Sequence, residues 1–558
     1  MKRPDRRKPA GYAALRQNDA VPQPEFPVRV DRDTYPAPEY EFPHADVGAT
    51  YASSAPDAAR PSMAPDGSPN VLIVLLDDIG YGVLSTFGGL VASPALDRLA
   101  KGGLRYCSFH TAGLSSPTRA ALLTGRNHHT VGAGAGQDYT AGYAGYHGAL
   151  PKSCATIAEL LRQNGYATGW WGKHHNLPAA ESSAAGPFSR WPVGLGADYF
   201  YGFLGDATDR FHPAVYRNTT ALDPARASEP GYHLTTDLAN DCIAWIREQK
   251  AVAPARPFFA YFTPGCGHAP HQPPLDWRGR HAGKFDFGWD EYQRRAYERQ
   301  LELGVIPRTT RLTERPRELG GWDDAGEAQR RLFTRLFENY ADYAEHADFE
   351  VGRIVDALAE ISELENTLIF YIAGDNGCSA EGGSTGTLND AYTANGFSDS
   401  VDDLLPRIDA IGTSGTSPNI PSAWAWAGNT PFRWTKGAAS HLGATRVPLV
   451  VHWPLRVRSA GETRFQFHHV VDVTPTILEV VGIKQPSTVN GVPQRPIEGV
   501  SMAYTFAADG APAERRRRIQ YFEAFGNRAL HADGWIAACR HVSSAFDDDR
   551  WELYHVAE

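Results

Sequence analysis

A continuous apolar run, Val71 to Leu76, ends abruptly in two adjacent aspartates, Asp77-Asp78. The run has no polar side to turn toward water, so it suits a strand covered on both faces in a parallel sheet. Largely apolar runs recur at Leu104 to Phe109, Tyr166 to Trp171, Pro257 to Phe262, Thr367 to Ile372 and Val447 to His452. Helical segments lie between them. Ser93-Pro94 opens one that Gly102-Gly103 closes, and others fall near Ala155 to Gln163, Thr235 to Gln249, Ala328 to Glu360 and Asp472 to Val481. The longest carries Leu332, Leu336, Tyr340, Tyr343, Val351, Ile354 and Leu358 at helical spacing, which reads as a core-facing stripe. Strands alternating with helices predict an α/β fold, a doubly wound sheet flanked by helices. Its site belongs at the carboxyl ends of the strands.

Residues 1–68 are rich in Pro, Ala and Asp without a sustained period, and are expected to form an extended arm. The main domain is expected over 69–505. Two long segments inside it, 274–325 and 379–430, read as irregular walls of a substrate pocket. Beyond it, Ile519-Gln520-Tyr521-Phe522 and Trp535-Ile536-Ala537 predict a small antiparallel C-terminal subdomain over 506–558. Trp170, Trp171, Trp424 and Trp426 suit either an aromatic pocket or, more commonly, the core.

The chain has 54 basic and 64 acidic side chains and a net charge of −10, which argues against nucleic acid as a partner. Arg515 to Arg518 form the one strong basic run, expected on a solvated loop or edge strand. No signal peptide or membrane-spanning run is visible, and the six cysteines lack metal spacing. Reduced thiols in a cytoplasmic protein, without a membrane partner, are therefore expected.

Chemistry concentrates in a few clusters. In Ser115-Ser116-Pro117-Thr118-Arg119-Ala120-Ala121-Leu122-Leu123-Thr124-Gly125-Arg126, a proline suited to a first turn and a glycine stop bracket a helix. Ser115 then sits where free backbone N–H groups and the helix dipole favour an anion, and Arg119 is one turn on. Asp77-Asp78 and Asp375-Asn376 each follow an apolar strand. Adjacent carboxylates need a cation between them or a proton on one, and an all-oxygen set suits Ca²⁺ or Mg²⁺.

The 115–126 stretch resembles the signature of the sulfatase family, Cys or Ser, any residue, Pro, then Ser, Ala or Thr, then Arg, followed by Leu-Thr-Gly-Arg. Arg126-Asn127-His128-His129 after it is similar to large bacterial arylsulfatases, and the resemblance runs from about Asn70 to about Tyr554. It implies an alkaline-phosphatase-like fold with a mixed sheet, and hydrolysis of sulfate esters. In the family the first signature residue becomes formylglycine. Most relatives carry Cys there, whereas this chain carries Ser115. A serine implies a radical S-adenosylmethionine maturase as partner. Relatives also continue beyond Trp551-Glu552-Leu553-Tyr554, so the C-terminus reads as shortened.

By the same resemblance, Asp77, Asp78, Asp375, Asn376 and the modified residue 115 hold one Ca²⁺ or Mg²⁺. Lys173 and His175, in Lys173-His174-His175, bind a sulfate oxygen and the formylglycine hydroxyl, with His174 structural. His268 binds substrate and protonates the leaving oxygen, with His271 as its local rival. Lys436 is the second sulfate-binding lysine, and Arg119 helps neutralise charge. His441 has no assigned role. The alternatives are a phosphoester or phosphonate hydrolase using Ser115 directly, or a binding-only relative.

Overall fold

The computed structural model describes residues 26, 29–36, 42, 44–57, 62–223, 230–506 and 515–556. Seven strands form the body of an eleven-stranded sheet: β1 (Asn70–Leu75), β2 (Leu104–His110), β3 (Ala167–Lys173), β4 (Tyr199–Phe203), β5 (Phe258–Thr263), β6 (Thr367–Ile372) and β7 (Arg446–His452). Their order across the sheet is β2-β7-β6-β1-β5-β3-β4. β1 pairs in parallel with β5 and β6, and β3 in parallel with β5 and β4. β7 runs antiparallel to both β2 and β6, so the sheet is mixed.

Every residue of β1, β3, β5, β6 and β7 is buried. The side chains of β1 alternate between two cores, as the period of a strand requires. Leu72 and Val74 face a core closed by α1 (Pro94–Gly102), α4 (Leu234–Val252) and α6 (Glu327–Glu360). Val71, Ile73 and Leu75 face one closed by α2 (Ser115–Thr124), α3 (Ile157–Arg162) and α8 (Val473–Val481). The α6 stripe is core-facing throughout. Trp171, Trp424 and Trp426 lie in the first core and Trp170 in the second, so all four belong to the core.

Two expectations need correction. Segment 274–325 is not wholly irregular: it holds α5 (Gly288–Leu303), and segment 379–430 holds α7 (Ser422–Gly428). The buried side of α5 carries Trp289, Tyr292 and Ala296 with Gln293 and Gln300, a stripe too thin and polar to give a clear period. The run Arg515–Arg518 is not uniformly solvated either. Arg517 is buried, with Nη2 2.7 Å from Asp472 Oδ1, because that carboxylate is itself fully buried and needs a cation.

Four antiparallel strands, β8 (Ile519–Ala524), β9 (Asn527–Ala532), β10 (Trp535–Cys539) and β11 (Trp551–His555), form the separate C-terminal sheet. The expected N-terminal arm lies partly outside the described residues, over 1–25. Its described part is anchored: Thr34–Tyr35 pairs with Thr488–Val489, and Tyr35 is fully buried. All six cysteines are buried as free thiols. Among the described residues, no helix is long and apolar enough to cross a membrane.

Candidate active site

The carboxyl ends of β1, β3, β5 and β6 lie at one edge of the sheet, because these strands are parallel. β1 delivers Asp77 and Asp78, β6 delivers Asp375 and Asn376, and β3 ends on Lys173 ahead of His174 and His175. His268 follows β5, and Ser115 begins the helix after β2. The reversed strand β7 starts at this edge, so the loop before it brings in Lys436. Asp78 and His175 hold positive φ angles of 48° and 57°, unusual for residues other than glycine. Gly267 (φ 72°) is required beside them: a Cβ there would meet the Asp77 carbonyl oxygen at 2.3 Å.

All ten residues expected from the sequence converge here. Ser115 Oγ donates to Asp77 Oδ1 at 3.0 Å and lies 3.4 Å from Asn376 Oδ1. Lys173 Nζ donates to Asp77 Oδ2 at 2.7 Å, and Lys436 Nζ to Asp78 Oδ2 at 3.1 Å. Asn376 Nδ2 donates to Asp78 Oδ1 at 2.6 Å. His268 Nε2 lies 3.8 Å from Asp78 Oδ2, and its Nδ1 is 2.7 Å from the Ala269 carbonyl oxygen.

Two residues make contacts that the sequence does not signal. Arg119 turns inward: its guanidinium donates to Asp375 Oδ2 at 2.8 and 3.0 Å, to Asp77 Oδ2 at 3.0 Å and to Thr263 Oγ1. With four of its five N–H groups engaged in this way, it braces the carboxylates. The ring of His175 lies between Asp206, 3.1 Å from Nδ1, and Ser116, whose hydroxyl is 3.5 Å from Nε2.

The two neighbouring histidines of these motifs are buried. His174 is buried edge-on against Trp170, with Nε2 3.0 Å from the Arg190 carbonyl oxygen. His271 packs against Tyr340, and burial pulls its pKa down to about 3. His441 lies by the C-terminal sheet, 3.4 Å from Glu552.

Charge is concentrated enough to move the titrations. Burial opposes ionisation of Asp77, but Lys173 and Arg119 hold its carboxyl far below the usual range. Burial raises Asp78, and burial together with the Asp77 charge pushes Asp375 up to about 7. Burial works against a charged His268, yet the Asp206 carboxylate outweighs it and pushes its pKa up to about 10.

The residues fit a divalent cation. Oxygens of Asp77, Asp78 and Asp375 all lie within 4.8 Å of one another, in full burial, with Ser115 Oγ and Asn376 Oδ1 alongside. Buried carboxylates this close repel unless a cation joins them, and an all-oxygen donor set suits a hard ion.

Sequence reasoning missed three acids at the mouth. Asp206 lies 2.7 Å from Lys173 Nζ, 3.1 Å from His175 Nδ1 and 3.3 Å from His268 Nε2. Glu381 lies 2.8 Å from Lys436 Nζ, and Asp138 3.7 Å from His175 Nε2. Asp206 carries the same signal as Asp77, a carboxylate just past an apolar strand, since it follows β4. Asp138 lies in a single helical turn, Gln137–Tyr139, and Glu381 in a loop, and neither leaves such a mark.

Buried lysines and a helix start gathered around a hydroxyl and a carboxylate cluster are suited to an anionic ester, and the fold is alkaline-phosphatase-like. The class is thus the hydrolases of anionic esters built on that fold. The model of the sulfatase family matches residues 69–483, and the chain belongs to that family; it is a sulfuric ester hydrolase. An uncharacterized sulfatase of Schizosaccharomyces pombe is 27% identical over 508 residues, covering 88% of each chain. An arylsulfatase of Klebsiella aerogenes is 27% identical over 469 residues, covering 81% of this chain and 93% of that protein. A putative sulfatase from Bacteroides fragilis shares the fold with a TM-score of 0.58 at 16% identity, over 88% of this chain and 90% of that one.

Proposed function

We propose that this enzyme hydrolyses sulfate monoesters, aryl sulfates among them, with position 115 oxidised from serine to formylglycine. Asp77, Asp78, Asp375 and Asn376, with residue 115, would hold one Ca²⁺ or Mg²⁺. The observation that supports this most is the setting of Ser115: its Oγ is 3.0 Å from Asp77, whose other oxygen takes Lys173, while Lys436 approaches through Asp78.

The cation, when bound, supplies a Lewis acid for a sulfate oxygen. The aldehyde hydrate supplies a nucleophile whose second hydroxyl lets sulfate leave. The remaining work belongs to side chains in place. Lys173 and Lys436 bind sulfate oxygens from two sides, in a buried setting that strengthens each contact. Arg119 holds Asp77 and Asp375 in register from behind. His268 presents Nε2 to the mouth and delivers a proton to the departing oxygen. His175, beside Ser116, stands near the helix start that carries position 115.

Serine oxidation requires its own maturation partner, for which a radical S-adenosylmethionine enzyme is the reading. The test is expression with and without that class of enzyme, followed by assay of an aryl sulfate and an aryl phosphate. Sulfate release only from the co-expressed form is expected. Phosphate turnover by the unmodified serine form would replace this reading with direct attack by Ser115.

A further inference from the structure

Among the described residues six arginines are buried, and five of them have their charge answered by the protein. Arg119, Arg464 and Arg517 meet carboxylates. Arg126 and Arg210 donate from both Nη groups to carbonyl oxygens. Arg446, the first residue of β7, is only 4% exposed and has neither arrangement. Its Nε donates to the Cys107 carbonyl oxygen at 2.6 Å, and no carboxylate or carbonyl oxygen among the described residues takes either Nη group. Phe432 and Tyr81 offer it ring faces at 4.8 and 5.5 Å, which soften the charge without cancelling it. A buried guanidinium without a counter-ion is costly, so the site calls for an anion.

There is room for one. Arg446 lines two adjoining cavities, which also share Pro307 and Val556. The first, of about 220 Å³, takes apolar walls from Phe432, Leu442, Ile536 and Ala538. Arg433 borders it as well, and no aspartate or glutamate lines it among the described residues. The second, of about 280 Å³, brings Arg515, Arg517 and Arg518 to the same place with one acid, Asp533. Phe432 and Leu442 come from the two sides of the loop that carries Lys436, and Ile536 and Ala538 from β10. The first cavity therefore lies between the main domain and the C-terminal sheet. None of the ten active-site residues lines either cavity.

We propose that the first cavity binds a small organic monoanion, a carboxylate on a compact apolar body, with the carboxylate paired to Arg446. The planar fork of a guanidinium matches a carboxylate in two parallel hydrogen bonds, and burial strengthens both. The body lies between the Lys436 loop and β10, where the small volume limits it to about a single ring. The bound anion ties the C-terminal sheet to that loop.

The test measures binding of benzoate, benzamide and formate to the full-length serine form by calorimetry. Benzamide keeps the ring without the charge, and formate the charge without the ring. Benzoate should bind at least about tenfold tighter than either. Leu442→Glu places a carboxylate four residues before Arg446 on the wall of the same cavity, as a built-in counter-ion. It should raise the melting temperature and weaken benzoate at least about tenfold. Ala538→Leu fills the apolar end, leaves Arg446 in place and should weaken benzoate about fivefold. This second variant decides the matter where Leu442→Glu fails to fold. Equal binding of benzoate and either control overturns the proposal, as does the absence of benzoate binding at millimolar concentration. Benzoate binding undiminished in both variants also overturns it, and places the anion on the catalytic lysines instead.

Discussion

Lys173 Nζ lies 2.7 Å from Asp77 Oδ2, and neither side chain exposes any surface. The pair joins the ends of β3 and β1 across the intervening strand β5. Removing one partner of such a pair leaves a charge buried without its counter-ion, at a cost of about 3–5 kcal/mol. Arg119 still compensates Asp77, so Lys173→Met is expected near the lower end of that range. Urea unfolding measures it; an unchanged midpoint would show that the pair contributes nothing to the fold.

Cation binding should be visible without any substrate. Ca²⁺ or Mg²⁺ at about a hundredfold excess over Kd should stabilise the protein by about 2.7 kcal/mol, and a chelator should reverse the gain. Asp375→Ala should keep the fold and lose the response. A thermal shift of equal size in that variant would place the ion elsewhere.

His268→Ala should slow esters with poor leaving groups far more than activated aryl sulfates. The loss on poor leaving groups should be ~10²–10⁴-fold. His271→Ala should show no such selectivity, because its ring packs on Tyr340. Equal losses on both substrate types in His268→Ala would remove it from proton transfer.

Much of this arrangement was legible in the chain itself. Strands buried on both faces leave uninterrupted apolar runs, which is why β1 and β6 could be read to within a residue, and why Asp77 and Asp375 stood out at their ends. β4 was not anticipated, because Tyr199–Phe203 is only five residues long with Gly202 inside it, and Asp206 was lost with it. The inward turn of Arg119 had no sequence signal. It depends on two carboxylates from strands that meet only in the fold. The burial of Arg517 was hidden for the same reason, since its partner Asp472 lies in another part of the chain.

That second pair gives a pH-dependent prediction. Burial opposes ionisation of Asp472, but Arg517 and His468 hold its pKa well below the usual carboxylate value. A depressed pKa contributes stability that is present above the unfolded value of about 3.9 and is lost as pH falls below it. The stability advantage of the native protein over Asp472→Asn should therefore be full at neutral pH and shrink progressively under pH 4. Hydrogen exchange in β8 should rise over the same interval, because Arg517 leads directly into that strand. A difference constant with pH would show that Asp472 titrates normally.

The most direct measurement is the mass of the peptide spanning Ser115, taken from a preparation whose aryl sulfate turnover has been quantified. The account predicts a residue two hydrogens lighter than serine, its aldehyde trapped by a carbonyl reagent. The fraction converted should rise in proportion to activity across preparations made with increasing amounts of maturase. Full turnover from protein in which residue 115 is entirely plain serine would contradict it.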